Sequence, residues 1–228
     1  MLLENLSWQD VEVYLKTKQE IVIVLGATEE HSDLSLCTDT LIPFYIAQKA
    51  CERSKTILLP PLNYGISAWS REYPGTVSLK TVTYMHVISD IFDSLIYSGF
   101  KKFFILNGHG FNRAVCPLII EKLHDVENGE AIFTQWYELN ALKKIAREIN
   151  CNPSHANWAE NFSFTNINRN HKKVNLNKII PNFLQQTKNI RKIMKEGHGT
   201  GKLQINPNLS NVLLQELIEE YYLLLQSK

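Results

Sequence analysis

The sequence predicts an α/β protein: a mostly parallel central sheet covered by helices on both faces, in a single domain over residues 1–228. Three observations lead there. Short apolar runs rich in β-branched and aromatic residues recur along the chain, segments of helical periodicity lie between them, and the most polar clusters follow directly on the ends of those runs. Strands alternating with helices imply parallel βαβ units, whose strands are buried on both sides.

The elements follow in order. "IVIVLG" (Ile21 to Gly26) is a buried strand, β-branched and ended by glycine. After an acidic loop, "TDT" (Thr38 to Thr40) offers an N-cap, and Ile42, Tyr45, Ile46 and Ala50 then mark one helix face. "TILL" (Thr56 to Leu59) is a second strand, stopped by Pro60 and Pro61. A turn-rich stretch precedes a helix marked by Ile88, Ile91, Phe92 and Leu95, which ends near Gly99. "FFIL" (Phe103 to Leu106) is the third strand and runs straight into "NGHGFN". A helix over Ala114 to His124 carries Pro117 in its first turn, where a missing N–H costs least. "AIFTQW" is a fourth strand and "ELNALKKIAREIN" a further helix. The Asn-rich span from Asn150 to Ser210 reads as loops and short elements, and Leu214, Leu217, Ile218 and Tyr221 define a closing amphipathic helix.

Composition narrows the function classes. A net charge of +1, with no dense basic run, gives no reason to expect a nucleic-acid partner or an anionic membrane surface. No apolar run approaches the ~20 residues needed to span a bilayer. The first fifteen residues lack an apolar signal-peptide core, and the four cysteines are spread with no CxxC pair, so the expectation is a cytoplasmic chain with reduced thiols.

The chemistry-bearing residues cluster at two strand ends, where ligands bind in such sheets. Glu29 and His31 are two apart, so in extended backbone both point the same way. Asp39 stands where a helix begins, near the positive end of its dipole. His109 lies between two glycines that allow close approach, and "SHANWAEN" supplies His155 and Glu160. Taken singly, each has an ordinary reading: Glu29 and Glu30 as solvated loop carboxylates, Asp39 as a helix-start residue, His109 as part of a turn. His86, His124, His171 and His198 read as plain structure. Together, imidazole and carboxylate donors suit zinc, manganese or iron. A shared Asp39 could bridge two ions about 3.5–4 Å apart, and such sites lower the pKa of water from 15.7 to about 7.

Three blocks sharpen this reading. "GATEEHSDLSLCTDT" resembles the creatininase (creatinine amidohydrolase) family pattern G-[AS]-T-E-Q-H-G-P-H-L-P-L-x-T-D-T. "LPPLNYGIS…YPGTVSL" and "FFILNGHGFN" are similar to its second and third blocks, in order and at sensible spacing. The resemblance implies a layered α/β/α fold with a dinuclear metal centre, a small cyclic substrate, and assembly as a homo-oligomer, often a hexamer. By that resemblance Glu29, Asp39 and His109 hold one ion, and His31, Asp39 and Glu160 the other. His155 resembles the proton donor to the leaving nitrogen, so His155 and Glu160 are the candidates for the catalytic step. Glu160 substitutes for a family glutamate that follows N-G-H, where this chain has "GFN".

The chain also departs from the pattern. The first block is one residue short, and Asp33 stands where the family has histidine. Trp69 and Ser70 replace a Glu-His pair, and Trp158 replaces a glutamate. Asp33, Trp69, Ser70 and Trp158 are therefore candidate substrate-pocket residues, although tryptophan is mostly buried and Trp158 also suits the core. The retained ligands imply a metal-dependent hydrolase with two zinc or manganese ions per chain, acting on a cyclic amide or related polar ring. "HANWAENF" is similar to members that act on oxidised cyclitols, which implies C–C ring opening as the alternative. A metal-binding chain that has lost catalysis is the third reading.

Overall fold

The computed structural model describes residues 1–167, 177–178, 191–192, 197, 199–200 and 206–227. Four parallel strands form the sheet: β1 (Glu20–Leu25), β2 (Ile57–Leu58), β3 (Lys102–Asn107) and β4 (Glu130–Gln135), in the order β2-β1-β3-β4. Helices α1 (Trp8–Leu15), α2 (Thr38–Ser54), α3 (Thr81–Ser98), α4 (Cys116–His124), α5 (Asn140–Glu148) and α6 (Pro207–Gln226) cover it, and β5 (Asn177–Lys178) pairs antiparallel with β6 (Gly199–Thr200).

Alternation along the strands explains the layers. Val22, Val24, Phe104 and Leu106 face a core shared with α2, α5 and α6. Ile21, Ile23, Leu25, Phe103 and Ile105 face the opposite core, built with α3 and α4 and edged by α1. A strand buried on both faces must be apolar at every position, which is why these runs are continuous rather than alternating. Each fully buried Val, Leu, Ile or Phe contributes about 1.5–3 kcal/mol relative to exposure.

Several boundaries differ from expectation, each for a local reason. The N-cap of α2 is Cys37, not the "TDT" triplet, because the Thr38 hydroxyl donates back to the Ser35 carbonyl at 2.6 Å. Asp39 therefore lies inside the first turn. β2 shrinks to two residues ahead of Pro60 and Pro61, neither of which can donate to a ladder. The expected helix over Ala114 to His124 opens as a 3-10 turn (Gly110–Val115) before α4 begins. α6 starts at Pro207, capped by the Asn206 side chain, within the span read as loop; its first six residues are exposed or half-buried and carry no apolar stripe. α1 was not expected, since it buries none of its residues completely; it is set by a Ser7–Asp10 capping box. His171 and His198 lie outside the described residues. No described helix is long and apolar enough to cross a membrane.

The topology positions the site. Connections run to opposite sides of the sheet from β1 and β3, so the crevice between them is the switch point where such sheets bind ligands. Leu25 pairs with Asn107, placing the loops after β1 and β3 side by side. Asn107 pairs with Gln135, which brings Trp136 and Tyr137 to the same end.

Candidate metal centre

Two glycines let the site close. A Cβ on Gly26 would collide with the Thr40 hydroxyl, and one on Gly108 with the Asp39 carbonyl. That carbonyl is free of the usual helical partner because residue 43, four positions on, is proline and has no N–H. The first turn of α2 is thereby pressed onto both strand ends, and Asp39 reaches the switch point.

Glu29, His31, Asp39, His109 and Glu160 all converge there and are all buried. Asp39 uses its two oxygens on different imidazoles: Oδ1 lies 3.1 Å from His31 Nε2, and Oδ2 lies 2.9 Å from His109 Nδ1. His109 Nδ1 is also 3.3 Å from Glu29 Oε1, and His31 Nε2 is 3.8 Å from Glu160 Oε2. Each imidazole is aimed by its other nitrogen. His31 Nδ1 donates to the Glu29 carbonyl at 3.1 Å, and His109 Nε2 donates to the Ile66 carbonyl at 2.8 Å. Main-chain carbonyls behind histidines fix tautomer and ring orientation in the manner of metal sites. The carboxylates are anchored too: Glu29 Oε2 accepts from Ser70 Oγ at 3.2 Å, and Glu160 Oε2 accepts from the Ala156 N–H at 2.5 Å.

Electrostatics follow from this crowding. Burial disfavours a charged His31, but Asp39, Glu160 and Glu29 outweigh it and raise the imidazole to about 10. His109 moves the same way, with burial opposed by Glu29 and Asp39. Burial raises Glu160 to about 7, with His31 pulling down and Asp39 pushing up. Asp39 is held well below the ordinary carboxylate range, since the two imidazoles overcome its burial. Without metal, imidazole protons balance the carboxylates.

Three groups place candidate donor atoms within 4.8 Å of one another among the described residues: Glu29, Asp39 and His109; His31, Asp39 and Glu160; and Glu29, His31 and His155. They open onto a cavity of about 370 Å³ that Glu29, Asp39, His109, His155 and Glu160 line. Of the expected pocket residues, Trp69 lines it. Ser70 instead lies buried beneath Glu29, Asp33 sits half-buried on the turn after His31, and Trp158 packs in the core with its indole N–H on the Asn152 carbonyl. Phe111, Trp136 and Tyr137 line the cavity and were not expected to. The rule that picked out the end of β3 would have found Trp136 and Tyr137 at the end of β4. In the departing "GFN", Asn112 is structural, donating to the Gly26 carbonyl at 3.0 Å.

Fold and geometry define an α/β protein with a buried carboxylate–imidazole centre at its switch point. Comparison places it further. Residues 4–171 match the profile of the creatininase family, creatinine amidohydrolase. Creatinine amidohydrolase from Pseudomonas putida is 27% identical over 112 residues, covering 46% of this chain and 43% of that one. The 3-dehydro-scyllo-inosose hydrolase of Thermotoga maritima is 25% identical over 138 residues, covering 59% and 44%. The matched stretch is thus less than half the length of either relative. A solved structure of creatininase with Mn superposes at a TM-score of 0.77 with 15% identity, over 99% of this chain and 97% of that one. A mutant creatininase of Zn-Zn type gives a TM-score of 0.77 at 15% identity, over 99% and 96%. The chain belongs to the creatininase family.

Proposed function

We propose that this chain is a metal-dependent hydrolase with a dinuclear centre, acting at the carbonyl of a small cyclic amide or related polar ring. Glu29, Asp39 and His109 hold one divalent ion in this reading, and His31, Asp39 and Glu160 hold the other. The observation that carries it is the pair of contacts at Asp39, whose two oxygens face different imidazoles as a shared carboxylate's would. The donor set fits zinc or manganese, with iron also compatible. Three buried carboxylates converge there, and no lysine or arginine is among the described residues lining the cavity to balance them. Divalent ions at these positions would acidify water and polarise a carbonyl. The names of the manganese and Zn-Zn creatininases, and of the Pseudomonas putida relative, support the same reading.

The chain's own residues supply the rest. His155 holds a proton at the cavity rim for the leaving nitrogen. Glu160, buried and held by the Ala156 N–H, faces the cavity as a carboxylate that the second ion would keep ionised. Trp69, Phe111, Trp136 and Tyr137 exclude water and offer flat faces to a ring. A second reading, ring opening of an oxidised cyclitol with C–C cleavage, is favoured by "HANWAENF" and by the Thermotoga maritima relative. Both readings include self-association into a homo-oligomer.

The test combines elemental analysis with turnover. The purified protein is expected to hold about two divalent ions per chain. Asp39→Ala is expected to lose metal and activity with its circular dichroism unchanged. A metal-free preparation with full turnover would overturn the proposal. Creatinine and a keto-inositol, assayed side by side, separate the two substrate readings.

A further inference from the structure

Among the described aromatic residues that line the cavity, Tyr137 alone carries a hydroxyl group. It stands in the 3-10 turn Trp136–Glu138 that ends β4, its ring edge-on to Trp136 with centroids 5.9 Å apart. Gly110, next to His109, lines the same cavity. A Cβ there would lie 3.5 Å from the Tyr137 hydroxyl oxygen, so the missing side chain leaves that flank of the oxygen open.

The polarity of that hydroxyl is set by the groups behind it. Its oxygen lies 2.6 Å from Gln135 Oε1, and the other neighbours of Gln135 decide which end of the amide faces Tyr137. Glu138 Oε1, a carboxylate oxygen paired with Arg113 at 3.3 Å, accepts from Gln135 Nε2 at 2.5 Å. On the opposite side Asn107 Nδ2 donates to Gln135 Oε1 at 3.4 Å. Asn107 is itself fixed: its Nδ2 donates to the His109 carbonyl at 2.7 Å, and its Oδ1 accepts the His109 N–H at 3.3 Å. Asn107 and Gln135 are both buried, so water does not compete for either amide. The Gln135 oxygen therefore faces Tyr137, and the hydroxyl gives its one hydrogen to it. What the Tyr137 oxygen has left is the capacity to accept, and no other hydrogen bond reaches it among the described residues.

We propose that Tyr137 is a specificity-determining residue, whose hydroxyl oxygen accepts a hydrogen bond from an N–H or O–H group on the substrate ring. Gln135, held between Glu138 and Asn107, fixes that polarity. The substrate class narrows to cyclic carbonyl compounds that carry such a donor. A ring with only a methylene or an acceptor at that place displaces water from the oxygen and leaves it unpaired, which is the costly case. The substrate class rests on the hydrolase reading, whereas the polarity of the hydroxyl rests on the hydrogen-bond chain alone.

The experiment titrates zinc-loaded protein with two small rings, followed by ligand-observed NMR and joined to steady-state kinetics. Ethyleneurea is a cyclic urea with N–H groups; cyclopentanone has the same ring size and carbonyl but no donor. The wild type is expected to prefer ethyleneurea. Tyr137→Phe is expected to lower that preference about 3- to 10-fold, the scale of one neutral hydrogen bond. Gln135→Met removes the amide that takes the hydroxyl hydrogen, frees the hydroxyl to donate, and is expected to lower the preference as well. It also carries the reading if Tyr137→Phe fails to fold. On whichever of creatinine and a keto-inositol is turned over, Tyr137→Phe is expected to raise KM by a similar factor with kcat little changed, a split that a merely structural role would not give. Either variant keeping the wild-type preference overturns the proposal, as does a wild type that binds the two rings equally or binds neither. Absence of turnover of both compounds, with the preference present in the wild type and lost in Tyr137→Phe, counts against the hydrolase reading and leaves the role of Tyr137 standing.

Discussion

Asp39 shows at the level of one residue how sequence and fold divide the work. Its place beside a helix start was readable from the residues alone; its sharing between His31 and His109 followed only from the family resemblance, because pairing between loops depends on strand order. The residue chemistry has a pH consequence for protein stripped of metal. His31 moves from 6.5 to about 10 and Glu160 from 4.5 to about 7, both upward. A raised pKa contributes stability that is full below the unfolded value and is lost as pH rises through the folded one. Stripped protein is therefore expected to lose thermal stability from about pH 4.5 upward, with the His31 part lost between about 6.5 and 10. Zinc requires these groups deprotonated, so zinc affinity should rise over the same window. Melting temperatures with and without zinc across pH check this; a stripped protein that gains stability with pH would contradict it.

Elements explain which parts of the fold were legible. β1 and β3 were plain because strands buried on both faces leave an uninterrupted apolar signature. α3 was plain from its periodicity and from Gly99, its C-cap at φ +106. α1 was silent, having no fully buried residue to mark a face. The aromatic cavity wall was silent too, since Phe111, Trp136 and Tyr137 become a wall only when β3 and β4 pair in register. The contact between elements is itself testable. Gly108→Ala would drive a methyl into the Asp39 main-chain carbonyl, where no flexible side chain can yield. It is expected to lower stability by about 1–3 kcal/mol, as overpacking does, and to weaken metal retention. By contrast, Leu217→Ala, in the core between α2 and α6, is expected to cost about 2–5 kcal/mol while retaining metal. Denaturant melts joined to elemental analysis separate the two; equal metal loss in both would contradict it.

At the scale of the whole molecule, the sheet is a scaffold that brings distant loops to one crevice, and in the proposed reading divalent ions tie them together. Ions bound only by the folded state add RT ln(1 + [L]/Kd), about 4.1 kcal/mol at a thousandfold excess over Kd. Chelation is accordingly expected to lower the melting temperature and to reverse on adding zinc or manganese. The central claim is that this crevice holds two ions sharing Asp39, and anomalous diffraction above the zinc or manganese edge tests it most directly. Two peaks about 3.5–4 Å apart are expected, one against Glu29 and His109, the other against His31 and Glu160, with Asp39 between them. A single peak, or two peaks that leave Asp39 unbound, would contradict it.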